Sequence, residues 1–278
     1  MGLDETIYLM SMQNISVSVI IPVFNNAATI SRALDSVFDQ SAQPNEIFIV
    51  DDASTDNSCA VIEKYIQDKP NAKLLRTATN CGPSAARNTG WAAASSDYIA
   101  FLDADDAWHS KKLETQFLFM QDNPEFVISG HQYQVMTKTE PTENILSDEF
   151  EVSVFDFRDF LIRNRFSTLE MTFRKSITER FKKVQKFLEN YRLSLRIIAA
   201  HDHGALIELP LTYLYKPTYG AGGISGRMFA MYRGQLANAS ALRKQETISL
   251  TTGLIWRAWL TIKFAMQLTH RSPRNQVK

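Results

Sequence analysis

Residues 17–24 read VSVIIPVF, a run of β-branched and apolar side chains closed by the polar pair Asn25 and Asn26. A short continuous apolar run bounded by turn formers predicts a strand buried on both faces. Working outward, residues 28–39 place Ile30, Ala33, Leu34 and Val37 at helical spacing, and residues 46–50 (EIFIV) form a second buried strand that ends in Asp51 and Asp52. Asp56 or Asn57 caps a helix running to about Gln67, residues 73–76 give a third short strand, and residues 83–94 a helix of small residues. Residues 98–102 are a fourth strand, and it ends in the acidic run of Asp103, Asp105 and Asp106. Strands separated by helices imply right-handed crossovers, hence an α/β fold with a mainly parallel, Rossmann-like sheet flanked by helices. Ligands are expected at the carboxyl ends of its strands. Each polar motif of the first hundred residues falls at such an end.

The acidic run, FLDADD at residues 101–106, is the strongest chemical signal. Carboxylates this close repel one another unless a cation or a hydrogen-bond donor relieves them. Oxygen-only ligands suit hard divalent ions, Mn²⁺ or Mg²⁺, that bridge one or two carboxylates to substrate phosphates. A solvated acidic turn is the alternative reading of the same residues.

Composition excludes several functions. Thirty basic residues balance thirty acidic ones, and no basic stripe with interleaved aromatics occurs, so no nucleic-acid partner is expected. Cys59 and Cys81 lack the spacing of a zinc site and fit a reducing cytosol. No G-x-G-x-x-G follows the first strand and no G-x-x-x-x-G-K-[ST] occurs, which argues against a dinucleotide enzyme and a P-loop nucleotidase. The stretch IPVFNNAAT is likewise not the Gly-rich, basic loop of a nucleotidyltransferase.

Four segments in order over residues 15–110, VSVIIPVFNN, IFIVDDASTDNS, NCGPSAARNTG and YIAFLDADDAW, resemble the inverting family-2 glycosyltransferases with the GT-A fold. The resemblance implies a donor site for a nucleotide-sugar, a UDP-sugar above all, and roles for particular residues. Pro22, Val23 and Phe24, with Asn25, match the segment lining the base pocket, where an aromatic ring packs on uracil. Asp52 matches the carboxylate that reads the base, and Arg87 an arginine facing the donor phosphates. Gly82 permits close backbone approach, with Asn80 and Asn88 bracing its loop. Asp103 and Ala104 match the positions near the ribose and metal shell, Asp105 the direct metal ligand with Asp103 beside it, and Trp108 and His109 a segment facing the acceptor, with Trp108 equally readable as a packing anchor. The implied acceptor is a glycan or polyprenyl-linked glycan, and the implied context is bacterial surface-polysaccharide assembly.

One position departs from the family pattern. Its catalytic Asp lies in a Glu-Asp pair opening a helix, and the matching stretch here, residues 189–197, reads ENYRLSLRI, with Asn190 where that Asp is expected. An amide cannot accept a proton at neutral pH. Three readings follow: Glu189 serves instead, another group such as His201 or Asp202 of the HDH run enters the site, or catalysis is impaired and the chain is a nucleotide-sugar-binding protein.

The C-terminal part is read as a helical extension over residues 226–278, after an N-terminal tail (1–14) and a transferase domain (15–225) with donor half 15–110 and acceptor half 111–225. Residues 250–268, LTTGLIWRAWLTIKFAMQL, carry Trp256 and Trp259 and precede His270, Arg271 and Arg274. Two readings stay open: peripheral membrane contact through residues 250–274, or a helix packed on the domain. Neither a transmembrane span nor a signal peptide is expected, so the location implied is cytoplasmic, at the inner face of the plasma membrane. Gly220, Gly222 and Gly223 suit a mobile loop over the donor or a plain surface loop.

Overall fold

The computed structural model describes residues 14–136, 149–165, 167–182, 188–215 and 228–270. Strand β1 (Asn14–Val23) lies at the middle of the parallel half of the sheet, flanked by β2 (Gln43–Asp51) and β4 (Tyr98–Phe101), with β3 (Ala72–Arg76) beyond β2. Its alternate residues serve two cores. Val17, Val19, Ile21 and Val23 face one side, with Ile47 and Ile49 of β2, under helices α1 (Ile30–Phe38), α2 (Ser58–Ile66) and, further along the chain, α4 (Lys112–Asp122). Ile20, Phe48 and Val50 face the other, under α3 (Pro83–Ala93) and α6 (Glu189–His201). A fully buried Val or Ile contributes roughly 1.5–3 kcal/mol, which exceeds the backbone entropy of about 1–2 kcal/mol lost per ordered residue. The continuous apolar run is what this two-sided burial demands. α3 approaches closely because Gly90 has no Cβ: one added there would lie 2.5 Å from Ile20 Cγ2 and 3.2 Å from Val50 Cγ2.

The parallel order ends at β4. The next strand in the sheet, β8 (Thr172–Arg174), runs antiparallel to it, followed by β6 (Ile128–Val135) and β9 (His203–Leu214). β5 (Ala107–Trp108) and β7 (Val152–Asp156) pair antiparallel with the two ends of β9. The sheet is therefore mixed in its second half, where the chain reverses through α5 (Phe157–Ile162) and a 3₁₀ turn at Thr168–Glu170.

Helices α7 (Met228–Lys244) and α8 (Leu250–His270) form a hairpin whose inner residues, Ala239, Leu242, Trp256 and Leu260, belong to the same core as β1 and α6. The Trp256 indole donates to Leu161 O at 2.8 Å. The C-terminal helix is thus packed on the rest of the molecule, while Trp259 on another face stays exposed. Among the described residues no helix is long and apolar enough to cross a membrane.

Candidate functional site

The carboxyl ends of β1, β2 and β4 line up, since Val23 pairs with Asp51 and Ile20 with Phe101. The loops leaving them are stitched by side chains. The Asn25 carboxamide oxygen accepts from Thr55 N at 2.8 Å and Asp56 N at 3.3 Å, while Ser54 Oγ accepts from Asn25 N and Asp56 Oδ2 from Ala27 N. Ser54 and Asp56 therefore join two loops and are more than local turn and cap residues. The Ser58 hydroxyl, donating to Asp56, holds that carboxyl below its usual range. Asn25 and Ala53 both adopt the left-handed backbone region that side-chain-bearing residues rarely take, a form of strain that gathers at functional sites.

Phe24 stands at the rim with 45% of its surface exposed, so it is not a core residue and its ring is open to a ligand. Pro22 and Val23 close β1 below it. Asp52 is buried, and its carboxylate accepts from Thr77 Oγ1 (3.0 Å), Cys81 N (3.0 and 3.1 Å) and Gly82 N (2.6 Å). The expected base reader is thus also the anchor of the loop leading into α3. Gly82 has φ +86, which favours glycine, and an added Cβ would meet nothing within 4 Å. That leaves an open approach to its backbone. Asn88 does not brace this loop. Its amide donates to Phe181 O and accepts from Phe181 N, tying α3 to the segment after β8.

Arg87, one turn into α3, is buried, and its Nη2 donates to Asp103 Oδ1 at 2.6 Å. Asp103 and Asp105 are partly exposed at the end of β4 with Ala104 buried between them. Asp106 is buried and accepts from Tyr215 N at 3.1 Å, which fixes the acidic turn to the end of β9. Arg32 of α1 donates to the Asp105 carbonyl and lies 3.6 Å from the Tyr215 ring. The donor set was tested against a divalent cation on these grounds. Among the described residues no group of three or more His, Cys, Asp and Glu side chains gathers, yet Asp103 and Asp105 give two partly exposed hard oxygens. A cation that completes its shell with phosphate oxygens and water needs only one or two protein carboxylates, so the pair fits such an ion.

Of the residues opening α6, Glu189 belongs to this cluster. Burial raises its carboxyl above the ordinary range, the Arg87 charge pulls it back, and the Asp103 charge raises it further. Those neighbours locate it beside the Arg87–Asp103 pair. The Asn190 carboxamide instead accepts from Tyr191 N at 2.8 Å, folded back on its own helix. His201 and Asp202 do not reach the site: twelve residue steps of α6 set His201 about 18 Å from Glu189 along the helix. His201 faces Glu179 at 3.9 Å, and His203 packs edge-on to Phe126.

Trp108 is a packing anchor, one of its two sequence readings, and His109 does not face an acceptor. Both are buried; the Trp108 indole donates to Leu169 O, its face is covered by Lys112 Nζ at 3.9 Å, and His109 Nδ1 accepts from Lys111 N. A ring closed on both edge and face has no surface left for a sugar. Gly220, Gly222, Gly223, Arg271 and Arg274 lie outside the described residues. Arg32 was not singled out in the sequence. No local signal marks it, because it acts on residues distant in the chain.

The model of glycosyl transferase family 2 matches residues 18–185. The poly(ribitol-phosphate) β-N-acetylglucosaminyltransferase TarP of Staphylococcus aureus is 31% identical over 191 residues, covering 66% of this chain and 57% of TarP. Across the curated relatives matched, the chain spans 21% to 57% of their length. Among solved structures, residues 1–349 of S. aureus TarS in complex with UDP-GlcNAc superpose with TM-score 0.68 at 19% identity, covering 94% of this chain and 76% of that one. The mannosyltransferase PcManGT of Pyrobaculum calidifontis, in complex with GDP-Man and Mn²⁺, gives TM-score 0.61 at 17% identity, covering 92% and 76%. These structures share the α/β architecture of a central sheet flanked by helices.

Proposed function

The chain belongs to glycosyl transferase family 2, and from that membership we propose that it moves a sugar, with inversion, from a UDP-sugar to a glycan or lipid-linked acceptor in cell-surface polysaccharide assembly. The observation that carries the reading is one cluster: Asp103 and Asp105, the phosphate-suited Arg87 and the part-buried Glu189 around the end of β4. The TarP relative and the UDP-GlcNAc complex of TarS support a UDP-sugar as donor, and the PcManGT complex supports a divalent cation.

In this reading the uracil ring packs against Phe24, and the backbone at Gly82 comes up to the nucleotide. Asp105, with Asp103, would hold Mn²⁺ or Mg²⁺, and such an ion would supply Lewis-acid neutralisation of the diphosphate charge. Arg87 adds a preorganised positive charge that needs no rearrangement as the sugar–phosphate bond breaks. Glu189 takes the proton of the acceptor hydroxyl, whose oxygen attacks the anomeric carbon from the face opposite the diphosphate. Its raised pKa suits a base that must hold a proton near neutral pH.

The rival reading is a chain that binds the nucleotide-sugar but turns over poorly, and the observation favouring it is Asn190, whose amide is engaged with its own helix. UDP release from UDP-sugars with Mn²⁺ decides between them. Release by the native chain, lost in Asp105→Ala, supports the transferase reading; silence in the native chain with release in Asn190→Asp supports the rival.

The enzyme would work in the cytoplasm at the inner face of the membrane, with residues 250–274 in peripheral contact, a placement supported by exposed Trp259 beside Lys263. A chain truncated after residue 249 that still co-sediments with membranes would refute it.

A further inference from the structure

A groove of about 850 Å³ runs between the α7–α8 hairpin and the segment joining α5 to the 3₁₀ turn. Leu188 and Tyr191 border it, which brings it to the opening of α6, where Glu189 is the next residue after Leu188. Arg163, Arg165 and Lys263 line it together. Arg165 stacks over Phe155 at 4.4 Å, and its buried Nε has no hydrogen-bond partner among the described residues. Burial and the neighbouring Arg163 charge together lower the Lys263 pKa, which fits cations held close together. Glu170 is the one acid among the described lining residues. Both its oxygens are taken by Ser167, and burial pushes its carboxyl up to about 7. Arg163 and Arg165 also border an adjoining cavity with Glu208, whose oxygens accept from Gln132 and Ser153. Among the described residues no ion pair joins an acid to any of the three cations, which suits the groove to an anion of more than one charge.

The groove opens onto a second feature. Ile255, Trp259, Ile262 and Met266 fall at spacings of four, three and four residues, which places them on one stripe of α8, and all four are exposed. The stripe that packs on the core is a different one, through Trp256 and Leu260. Trp259 belongs to both features, since it lines the groove and sits in the exposed stripe, and exposed Ile162 adjoins it across the groove.

We propose that this groove is the acceptor subsite and that its occupant is a phosphate-bearing lipid carrier. Its phosphate sits on Arg163, Arg165 and Lys263, and its hydrocarbon chain runs along Trp259, Ile262 and Met266. The word acceptor rests on the transfer reading above; the binding of an anionic lipid does not. A cationic pocket continuous with an apolar stripe matches a molecule with a charged head and an apolar tail, and a polyol-phosphate polymer would leave the stripe bare.

The test is a titration of the full chain with farnesyl phosphate, below its critical micelle concentration, followed by tryptophan fluorescence. Trp91, Trp108 and Trp256 are buried, so exposed Trp259 reports the groove. Farnesyl phosphate should bind at least tenfold more tightly than farnesol, which lacks the phosphate, or glycerol phosphate, which lacks the tail. The double variant Arg165→Gln, Lys263→Gln should lose at least tenfold, and Arg165→Lys, which keeps the charge, no more than about threefold. Equal affinity for farnesol, an unaltered double variant, or glycerol phosphate binding as tightly as the lipid would each overturn the proposal. Calorimetry with UDP and Mn²⁺ on the same samples separates the two readings. UDP binding without farnesyl phosphate binding sinks the groove, and the reverse outcome sinks the donor site while leaving the lipid site standing.

Discussion

Replacing Asp52 by Asn tests whether the base-reading position is also a structural anchor. In the native chain one carboxylate receives three donors from the 77–82 loop: the Thr77 hydroxyl, Cys81 N and Gly82 N. A carboxylate accepts at both oxygens; a carboxamide accepts at one and points an N–H pair at the other. If Asn keeps the oxygen that accepts from Gly82 at 2.6 Å, that oxygen still accepts from Cys81 N at 3.1 Å, while its NH₂ now faces Thr77 Oγ1 and crowds the Cys81 N–H that had a second acceptor at 3.0 Å. The hydroxyl can turn to Thr79 O, 2.9 Å away, but the Cys81 amide is fixed in the backbone and is left with the longer of its two bonds. The loss is therefore one of the two arms of the Cys81 bond and the charge assistance on Gly82 and Cys81, about 1–3 kcal/mol together. About 1–3 kcal/mol is a sizeable share of a domain's stability of about 5–15 kcal/mol, and it should lower the melting temperature on the order of 3–8 °C. Differential scanning calorimetry measures the shift, and titration of UDP measures the site. We expect both to fall, because the loop carries Gly82 into α3 and so positions Arg87. A melting temperature within about 2 °C of native would refute the anchoring argument, leaving Asp52 with a ligand role alone.

Glu46 clamps the opposite end of the sheet, accepting from Ser18 Oγ at 2.6 Å and from the backbone and hydroxyl of Ser95. Burial opposes its charge, but these donors outweigh it and lower the pKa from 4.5 to about 2. The folded value is the lower one, so the stabilisation is full above pH 4.5 and lost as pH falls towards 2. The full shift sets a ceiling of about 3 kcal/mol, which solvent screening of this partly exposed group cuts to about 1–2 kcal/mol. Urea midpoints from pH 6 to pH 3 should therefore converge between native and Glu46→Gln, and parallel curves would contradict the clamp. Gly90→Ala brings a Cβ to 2.5 Å from Ile20 Cγ2, and the overpacking of about 1–3 kcal/mol should exceed the gain of about 1 kcal/mol from better helix propensity. A stabilised variant in urea would show that the two layers have slack.

The first 110 residues were legible because strands buried on both faces leave an unbroken apolar run, and β1, β2 and β4 fall within a few residues of where that run places them. The second half carries no such signal. β6 reads ISGHQYQV and is exposed over its last four residues, β8 is three residues long, and β9 contains Pro210 opposite Gln132, where the register shifts. A proline without an N–H interrupts a ladder and erases the pattern that would announce a strand. The donor-side residues were legible because each follows a strand end. The supporting contacts were not: Arg32 sits on Tyr215 and Asp52 on Gly82, and nothing local in either segment encodes a partner that distant.

The pair Glu189 and Asn190 shows how structure narrows a question that sequence leaves open. Adjacent helical positions diverge by about 100°, so only one of two neighbours can face a given point. It is Glu189 that feels the charges of Arg87 and Asp103, while the Asn190 carboxamide oxygen accepts from the N–H that follows it. If Glu189 is the base, Glu189→Gln should lower UDP release to acceptor by roughly 10²–10⁴-fold. The native pH profile should rise through a value above that of an ordinary glutamate, since burial raises this carboxyl, and Asn190→Asp should change the rate little. Should Asn190→Asp instead accelerate transfer while Glu189→Gln stays within about threefold of native, the helix must present its second residue to the acceptor. The orientation described here would then not be the one in which the bond is made.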